Sequence, residues 1–237
     1  MQFKKLSAPS LKELFVEELE SKILSGELGI GEKLPSEREL ANSMQVSRAV
    51  VNAGIAELEQ KGFLEIRPRV GTFVTDYRRT GSLDTLVSIM KYNGGALSDD
   101  EVQSILELRI ALVNLATTLA LENASPEELS GLTAILSDIK KSQNTETLVE
   151  HTFRLYHELA FISGNALLPL LFTSFKVLVC ALWSRFVLNY GMDALKQSSE
   201  EFVSLLLAGD SVAAIQYVES TTAESITGSR KIFRTHP

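Results

Sequence analysis

The apolar positions near the amino end recur at helical spacing. Leu11, Leu14, Phe15, Leu19 and Ile23 fall on one stripe with Gly26 behind it, which predicts a helix over residues 10–25. A Gly/Pro-rich connector, G-E-L-G-I-G-E-K-L-P, leads to Ser36-Glu37-Arg38-Glu39. Ser36 as N-cap, with Glu39 reaching back to its amide, is a capping box that opens a short second helix to about residue 42. A four-residue turn, 43–46, precedes a third helix over 47–61 with Val51, Ile55 and Leu58 as its inner stripe and Gly62 at its end. The pattern then changes. In F-L-E-I-R-P-R-V-G-T-F-V-T (63–75), β-branched and aromatic residues flank a Pro/Arg/Gly turn, which predicts a short hairpin.

After a polar joint at 76–82, about seven helical segments run to residue 230. Two open on caps, Ser98 with Glu101 and Ser125-Pro126 with Glu128, the proline taking the first helical position. Gly94-Gly95, Ser163-Gly164-Asn165, Gly191 and Gly209-Asp210 punctuate the run, while Gly131 falls inside a helix. Strands do not alternate with helices and no repeat of 20–50 residues is visible, so a parallel sheet, a dinucleotide fold and a solenoid are set aside. The expected architecture is mainly α: a winged helix-turn-helix with a small β-hairpin wing over 8–76, a linker at 77–82, and an all-α helical bundle over 83–230.

Composition fits two ordinary domains, with 237 residues of which 45% are apolar and 22% charged. One cysteine, Cys180, can build neither a disulfide framework nor a thiolate zinc site, which points to a reducing compartment. The first twenty residues are charged throughout, unlike a secretory leader. The greasiest stretch, 159–190, is broken by Gly164, Pro169, Lys176 and Arg185 and reads as buried helix rather than a membrane span. A cytoplasmic protein with no membrane partner is expected.

The net charge of −7 is unevenly spread. Residues 1–80 hold 12 basic and 12 acidic side chains, the remainder 11 against 18, and between Lys61 and Arg79 five basic residues face two acidic ones. A local basic stripe is what a phosphate backbone responds to, so duplex DNA stays open as a partner. In a winged helix-turn-helix the third helix enters the major groove by its N-terminal residues. Arg48 and Asn52 are four apart on one face there; Arg can grip guanine O6/N7 and Asn adenine N6/N7 in a bidentate way. Arg67 and Arg69 sit beside Gly71, where backbone could approach the sugar-phosphate edge. Arg38, one turn into the second helix, suits a phosphate or the groove wall. Each arginine taken alone could equally be a solvated surface residue.

The runs L-P-S-E-R-E-L-A (34–41), V-S-R (46–48), L-E-Q-K-G-F-L (58–64) and G-T-F-V (71–74) together resemble the DNA-binding domain of GntR-type bacterial transcription regulators. The resemblance implies operator contacts by Arg38, by Ser47 and Arg48 opening the third helix, and by the wing residues Gly71 and Thr72; with Ala49, Asn52, Arg67 and Arg69 these make the expected DNA-binding set. Many members carry Arg where this chain has Asn52, which changes the base preference expected at that contact.

Further on, V-Q-S-I-L-E-L-R (102–109), L-A-F-I-S-G-N (159–165) and L-A-G-D-S-V-A-A (207–214) resemble, in order, the all-helical FCD-type ligand-binding domain of the FadR subgroup. Many such domains hold a divalent metal on one Asp and three His. Counting from the same turns puts those positions here at Thr152, Tyr156, Ser199 and Thr221, hydroxyls that do not replace imidazoles at a transition-metal site. His151 and His157 are six apart, about 240° around a helix, and cannot substitute. No metal and no cofactor are expected. Arg109, in an otherwise apolar segment, must snorkel, pair with a carboxylate or receive an anionic ligand. The resemblance favours the ligand, with Thr152, Tyr156, Ser199 and Thr221 lining the cavity where metal otherwise sits.

The function so implied is a homodimeric transcription regulator binding double-stranded operator DNA. A small-molecule effector would modulate it; an acyl-CoA, a small organic acid and no effector at all are the alternatives. Two rivals remain, a helical-bundle enzyme and a protein-binding scaffold, each with a vestigial DNA-binding head. The enzyme lacks a constellation: there is no Glu-x-x-His pair, no Gly-x-Ser-x-Gly elbow and no phosphate loop. Cys180 in V-L-V-C-A-L-W lies in surroundings that raise a thiol's pKa.

Overall fold

A computed structural model describes residues 9–92 and 99–232. The cap expected at Ser98, the Gly94-Gly95 break and His236 lie outside the described residues. By its internal contacts the chain divides into two compact units, Met1–Leu97 and Ser98–Pro237.

The first unit opens with α1 (Leu11–Leu24), held by a capping box of Ser10 and Glu13. Phe15, Leu19 and Ile23 are buried, but Leu11 and Leu14 are exposed; Val16 and Glu20 face inward instead. Short α2 (Glu37–Ser43) carries the expected Ser36–Glu39 box, and α3 (Arg48–Gln60) is capped by the Ser47 hydroxyl. Val51, Ile55 and Leu58 are buried on α3. At Gly54 a Cβ would overlap Phe15 Cδ1 and lie 2.7 Å from Cε1, so the bare α3 backbone is what lets α1 approach this closely.

The end of α3 is a Schellman motif: the Phe63 amide donates to Leu58 O (2.9 Å) and the Gly62 amide to Glu59 O (2.9 Å), with Gly62 at φ +76°. Phe63 then drops into the core and starts the wing, an antiparallel pair of β1 (Leu64–Arg67) and β2 (Gly71–Val74) in which Leu64 faces Val74 and Arg67 faces Gly71. The Gly/Pro-rich connector is more ordered than its composition predicts. Gly31 and Leu34 amides donate to Val74 O and Thr72 O, and Lys33 bridges to Phe73, so residues 31–34 run along β2.

The expected linker carries a one-turn helix, α4 (Tyr77–Thr80), with Tyr77 against Phe63 at 5.4 Å between ring centroids. After it, α5 (Leu83–Tyr92) packs on α1 within the first unit, whereas the pattern put it in the bundle. The tie is polar: Glu20, 6% exposed, accepts from Lys61 Nζ (2.9 Å) and from Ser88 Oγ on α5 (2.8 Å). Thr85 Oγ1 also donates to Lys61 O. A buried carboxylate demands such partners, and α5 supplies one of them.

The second unit holds α6 (Asp99–Asn123), α7 (Pro126–Lys141), α8 (Thr145–Ile162), α9 (Leu168–Tyr190), α10 (Met192–Leu207) and α11 (Ser211–Ile226). Helix α8 is central, packed by α6, α7, α9 and α10, and nine of its eighteen residues are buried. Ser125, Asn144 and Asp210 cap α7, α8 and α11, while Gly164, Gly191 and Gly209 turn the chain at positive φ. By length and composition α6 and α9 could each cross a membrane, so the interruptions in 159–190 do not exclude a span as expected. Both instead bury apolar residues within this unit, including Val113 and Ala116 on α6 and Phe172 and Leu182 on α9.

Candidate functional site

An open cleft of about 620 Å³ lies in the first unit between the start of α2, the start of α3 and the wing. Its cationic lining is Lys33, Arg38, Arg48, Arg67 and Arg69. Local chemistry fixes each. Arg38 is the second residue of α2, directly behind the Ser36 cap; Arg48 and Ala49 are the first two of α3, behind the Ser47 cap, and all three are exposed. Ser47 Oγ accepts from the Val50 amide (3.3 Å), so its hydroxyl proton stays available to a phosphate oxygen. The α3 N-terminus adds its own positive end to that of Arg48.

The ion pairs of this unit involve Lys12, Lys22, Lys61, Arg67 and Arg79. Among the described residues Arg38, Arg48 and Arg69 take part in none. Arg67 differs: Glu65 accepts from it twice (2.8 and 3.0 Å), and its guanidinium lies 4.5 Å from the Phe73 ring centroid. Arg69 sits at the wing tip at φ +64°, an unusual conformation for a residue with a Cβ. Gly71 (φ +140°) does leave room, but Lys33 fills it; a Cβ there would overlap Lys33 Cε. Sequence reasoning missed Lys33. Its signal was the connector's spacing from the hairpin, which becomes readable only once residues 31–34 are known to pair with β2.

Asn52, exposed on α3, is satisfied with its amide nitrogen donating to Arg48 O (3.1 Å) and to Glu37 Oε2 (2.8 Å). Glu39, by contrast, is spent on the cap: bonds from the Ser36 hydroxyl and amide hold its carboxyl below the ordinary range. Thr72 on β2 is half-buried, with its carbonyl accepting from the Leu34 amide.

The second unit brings Arg109 into a different setting. Its Nη1 donates to Thr222 Oγ1 (2.7 Å) and its Nη2 to Tyr156 OH (3.1 Å). Its guanidinium lies 5.1 Å from the Tyr156 ring centroid and 6.0 Å from that of Trp183. Among the described residues no carboxylate pairs with it, so of the three fates open to Arg109 internal salt-bridging is not the one taken. Two cavities share it. One of about 60 Å³ has hydroxyls from Ser198, Thr221, Thr222 and Ser225 and the charged Glu224 and Arg230 in its lining; the other, about 30 Å³, is apolar, with Phe153, Phe172 and Phe175. Val179 and Trp183 border both.

Of the four hydroxyl positions, Tyr156 meets Arg109 and Thr221 lines the larger cavity. Thr152 and Ser199 are fully buried and donate to Leu148 O (2.8 Å) and Leu195 O (2.9 Å) in their own helices, so they line neither. Thr222 was missed. It shares the buried stripe of α11 with Ala214, Val218 and Ser225, a polar residue at an apolar period that the sequence does display.

Such a donor set does not fit a transition metal. His151 Nδ1 is within 2.9 Å of Ser142 Oγ, His157 lies against the Phe153 ring at 5.7 Å, and among the described residues no three His, Cys, Asp or Glu side chains gather. Burial pushes the Cys180 thiol up to about 11, far from a nucleophile's range.

Residues 11–74 match the family model described as bacterial regulatory proteins, gntR family, and residues 104–221 match the FCD domain. The HTH-type transcriptional regulator Mce2R of Mycobacterium tuberculosis is 31% identical over 180 residues, covering 74% of this chain and 73% of its own. This chain belongs to the GntR family of bacterial transcription regulators. Its FCD domain makes it a regulator with an effector-binding unit, not an enzyme. A second relative, named fatty acid metabolism regulator protein, from Shewanella pealeana, is 30% identical over 62% of this chain and 59% of its own. In fold, this GntR chain is similar to Lar of Listeria monocytogenes, with a TM-score of 0.65 at 19% identity over 94% of this chain and 98% of that one.

Proposed function

We propose that this regulator reads operator DNA with the start of α3 in the major groove and the wing on the adjoining backbone. The observation that carries it is the cleft where exposed Arg38, Arg48 and Arg69, none in an ion pair among the described residues, flank the α3 N-terminus. Ser47, Ala49, Asn52 and Thr72 complete the contact surface, Arg48 and Asn52 facing bases and the rest positioning the phosphates. The protein acts in the cytoplasm as a homodimer on two half-sites. Selection from randomised duplexes tests it: wild type enriches a site, and Arg48→Ala loses that selectivity while melting unchanged. Wild type that enriches nothing, or binds with a flat response to salt, refutes the reading.

The effector is a small organic acid whose carboxylate meets Arg109 and Thr222 in the larger cavity. A water needs roughly 10–15 Å³ of such space, so about 60 Å³ holds a handful of heavy atoms. That is a short acid and not an acyl-CoA. The apolar cavity beside Phe153, Phe172 and Phe175 favours an acyl chain as the second reading, which requires that cavity to open. Trp183, the chain's one tryptophan, borders both cavities, so its fluorescence reports either ligand directly. A response to short carboxylates and not to acyl-CoAs supports the first reading; the reverse supports the second. The effector changes operator affinity only by its differential affinity for two arrangements of the protein.

A further inference from the structure

The Asn52 amide is already half used before DNA arrives. Its nitrogen carries two hydrogens, and both have acceptors within the head: Arg48 O at 3.1 Å and Glu37 Oε2 at 2.8 Å. The oxygen, Oδ1, can only accept. Glu37 is well placed to keep this hold. It opens α2 next to the Ser36 cap, and buried Leu40 and Ala41 pack that helix on α3, fixing the span from Glu37 to Asn52. Outside stands the phosphate backbone, which repels a carboxylate and offers it no donor. On the DNA-binding reading, nothing on that side competes with Asn52 for the Glu37 carboxylate.

We infer that Glu37 turns Asn52 into an acceptor-only reader, a specificity device built from residues on two helices. Resting on the DNA-binding reading above, this has a definite consequence. Bidentate recognition of adenine needs the Asn nitrogen to donate to N7 while its oxygen accepts from N6. With the nitrogen occupied, only the oxygen acts, and the major-groove donors it can take are adenine N6 and cytosine N4. The contacted strand is then read as amino against keto: A and C accepted alike, G and T refused. Glu37 is a positioning residue here and touches no base.

The test uses the full chain and selection from randomised duplexes, with melting curves to verify that these variants of exposed residues remain folded. Wild type should show, once per half-site, a position where A and C are equally frequent and G and T are depleted. Asn52→Ala should erase discrimination at that position alone. Glu37→Ala should free one amide hydrogen and shift the position to adenine, by about fivefold or more over cytosine, the lower end of what a bidentate pair provides. Glu37→Gln keeps an acceptor and should retain the A/C degeneracy, although it removes the same charge as Glu37→Ala. A general gain in affinity from losing the charge would appear in both Glu37 variants and leaves the base ratio untouched. The inference is overturned by a unique adenine in wild type, by an Asn52→Ala profile identical to wild type, or by an unchanged A/C ratio in Glu37→Ala. A wild-type protein that enriches no site overturns the DNA-binding reading first.

Discussion

Gly54→Ala probes how closely α1 and α3 approach, and hence how rigidly the recognition helix is held. A Cβ at Gly54 would sit 2.7 Å from Phe15 Cε1 and closer still to Cδ1. Carbon–carbon contact needs about 3.5–4.0 Å, so the ring or the helix must move by on the order of 1 Å. Phe15 is 2% exposed, inside the core of this unit. Overpacking of this kind costs about 1–3 kcal/mol, and this overlap with a ring belongs at the upper end. Against it, replacing a mid-helix glycine by alanine returns about 1 kcal/mol. A net loss of about 2 kcal/mol follows, on the order of 8–16 °C in melting temperature for a cooperative unit of this size. Calorimetry is the assay, because Trp183, the chain's one tryptophan, lies in the other unit. Phe15→Leu in the same background should recover part of the loss, a coupling of about 1 kcal/mol between neighbours. A Gly54→Ala protein that melts at or above wild type would refute the close approach and the packing built on it.

Other predictions follow from single features. Arg109→Met should leave the ligand-free melting temperature within a few degrees, since no carboxylate is orphaned by the change, while abolishing the Trp183 response to short carboxylates; a large loss of stability would mark Arg109 as structural. Arg69→Gly relieves a left-handed residue and should stabilise the unit by up to about 1 kcal/mol while weakening DNA binding. Arg67→Ala should weaken binding less than Arg69→Ala does, because Glu65 already neutralises Arg67; equal effects in a salt-dependence series would contradict this. The bond from Lys12, and then Lys61, outweigh burial in holding the Glu57 carboxyl below its ordinary 4.5. Its contribution is therefore complete above about pH 4.5 and fades as pH falls through the lowered value. For Lys61, burial opposes but the bonds to Glu20 and Glu57 win, so its contribution is complete below 10.5 and fades above that. Melting temperature should be level between these limits with respect to these groups, and Glu57→Gln should shrink the acid-side fall.

Local signals made much of this protein legible from residues alone. Capping at Ser36 and Ser125, the stop at Gly62 and the Pro/Arg/Gly turn act within a few residues of themselves, so α2, α7, the end of α3 and the wing appeared where their chemistry required. Arg48 needed only its place behind the Ser47 cap. What involved partners far along the chain did not show. Helix α5 groups with α1 through Glu20 meeting Ser88, 68 positions away, which no local pattern displays. Lys33 joined the cleft only because the connector pairs with β2, and Glu37 became Asn52's partner only because the core sets two helices side by side. Around Arg109, the turn count chose Thr221, but the rotation of α11 presents Thr222 to the guanidinium, 113 residues away. Periodicity fixes which face of a helix is apolar; which polar residue at its margin meets another helix is decided by packing, and that needs the whole fold.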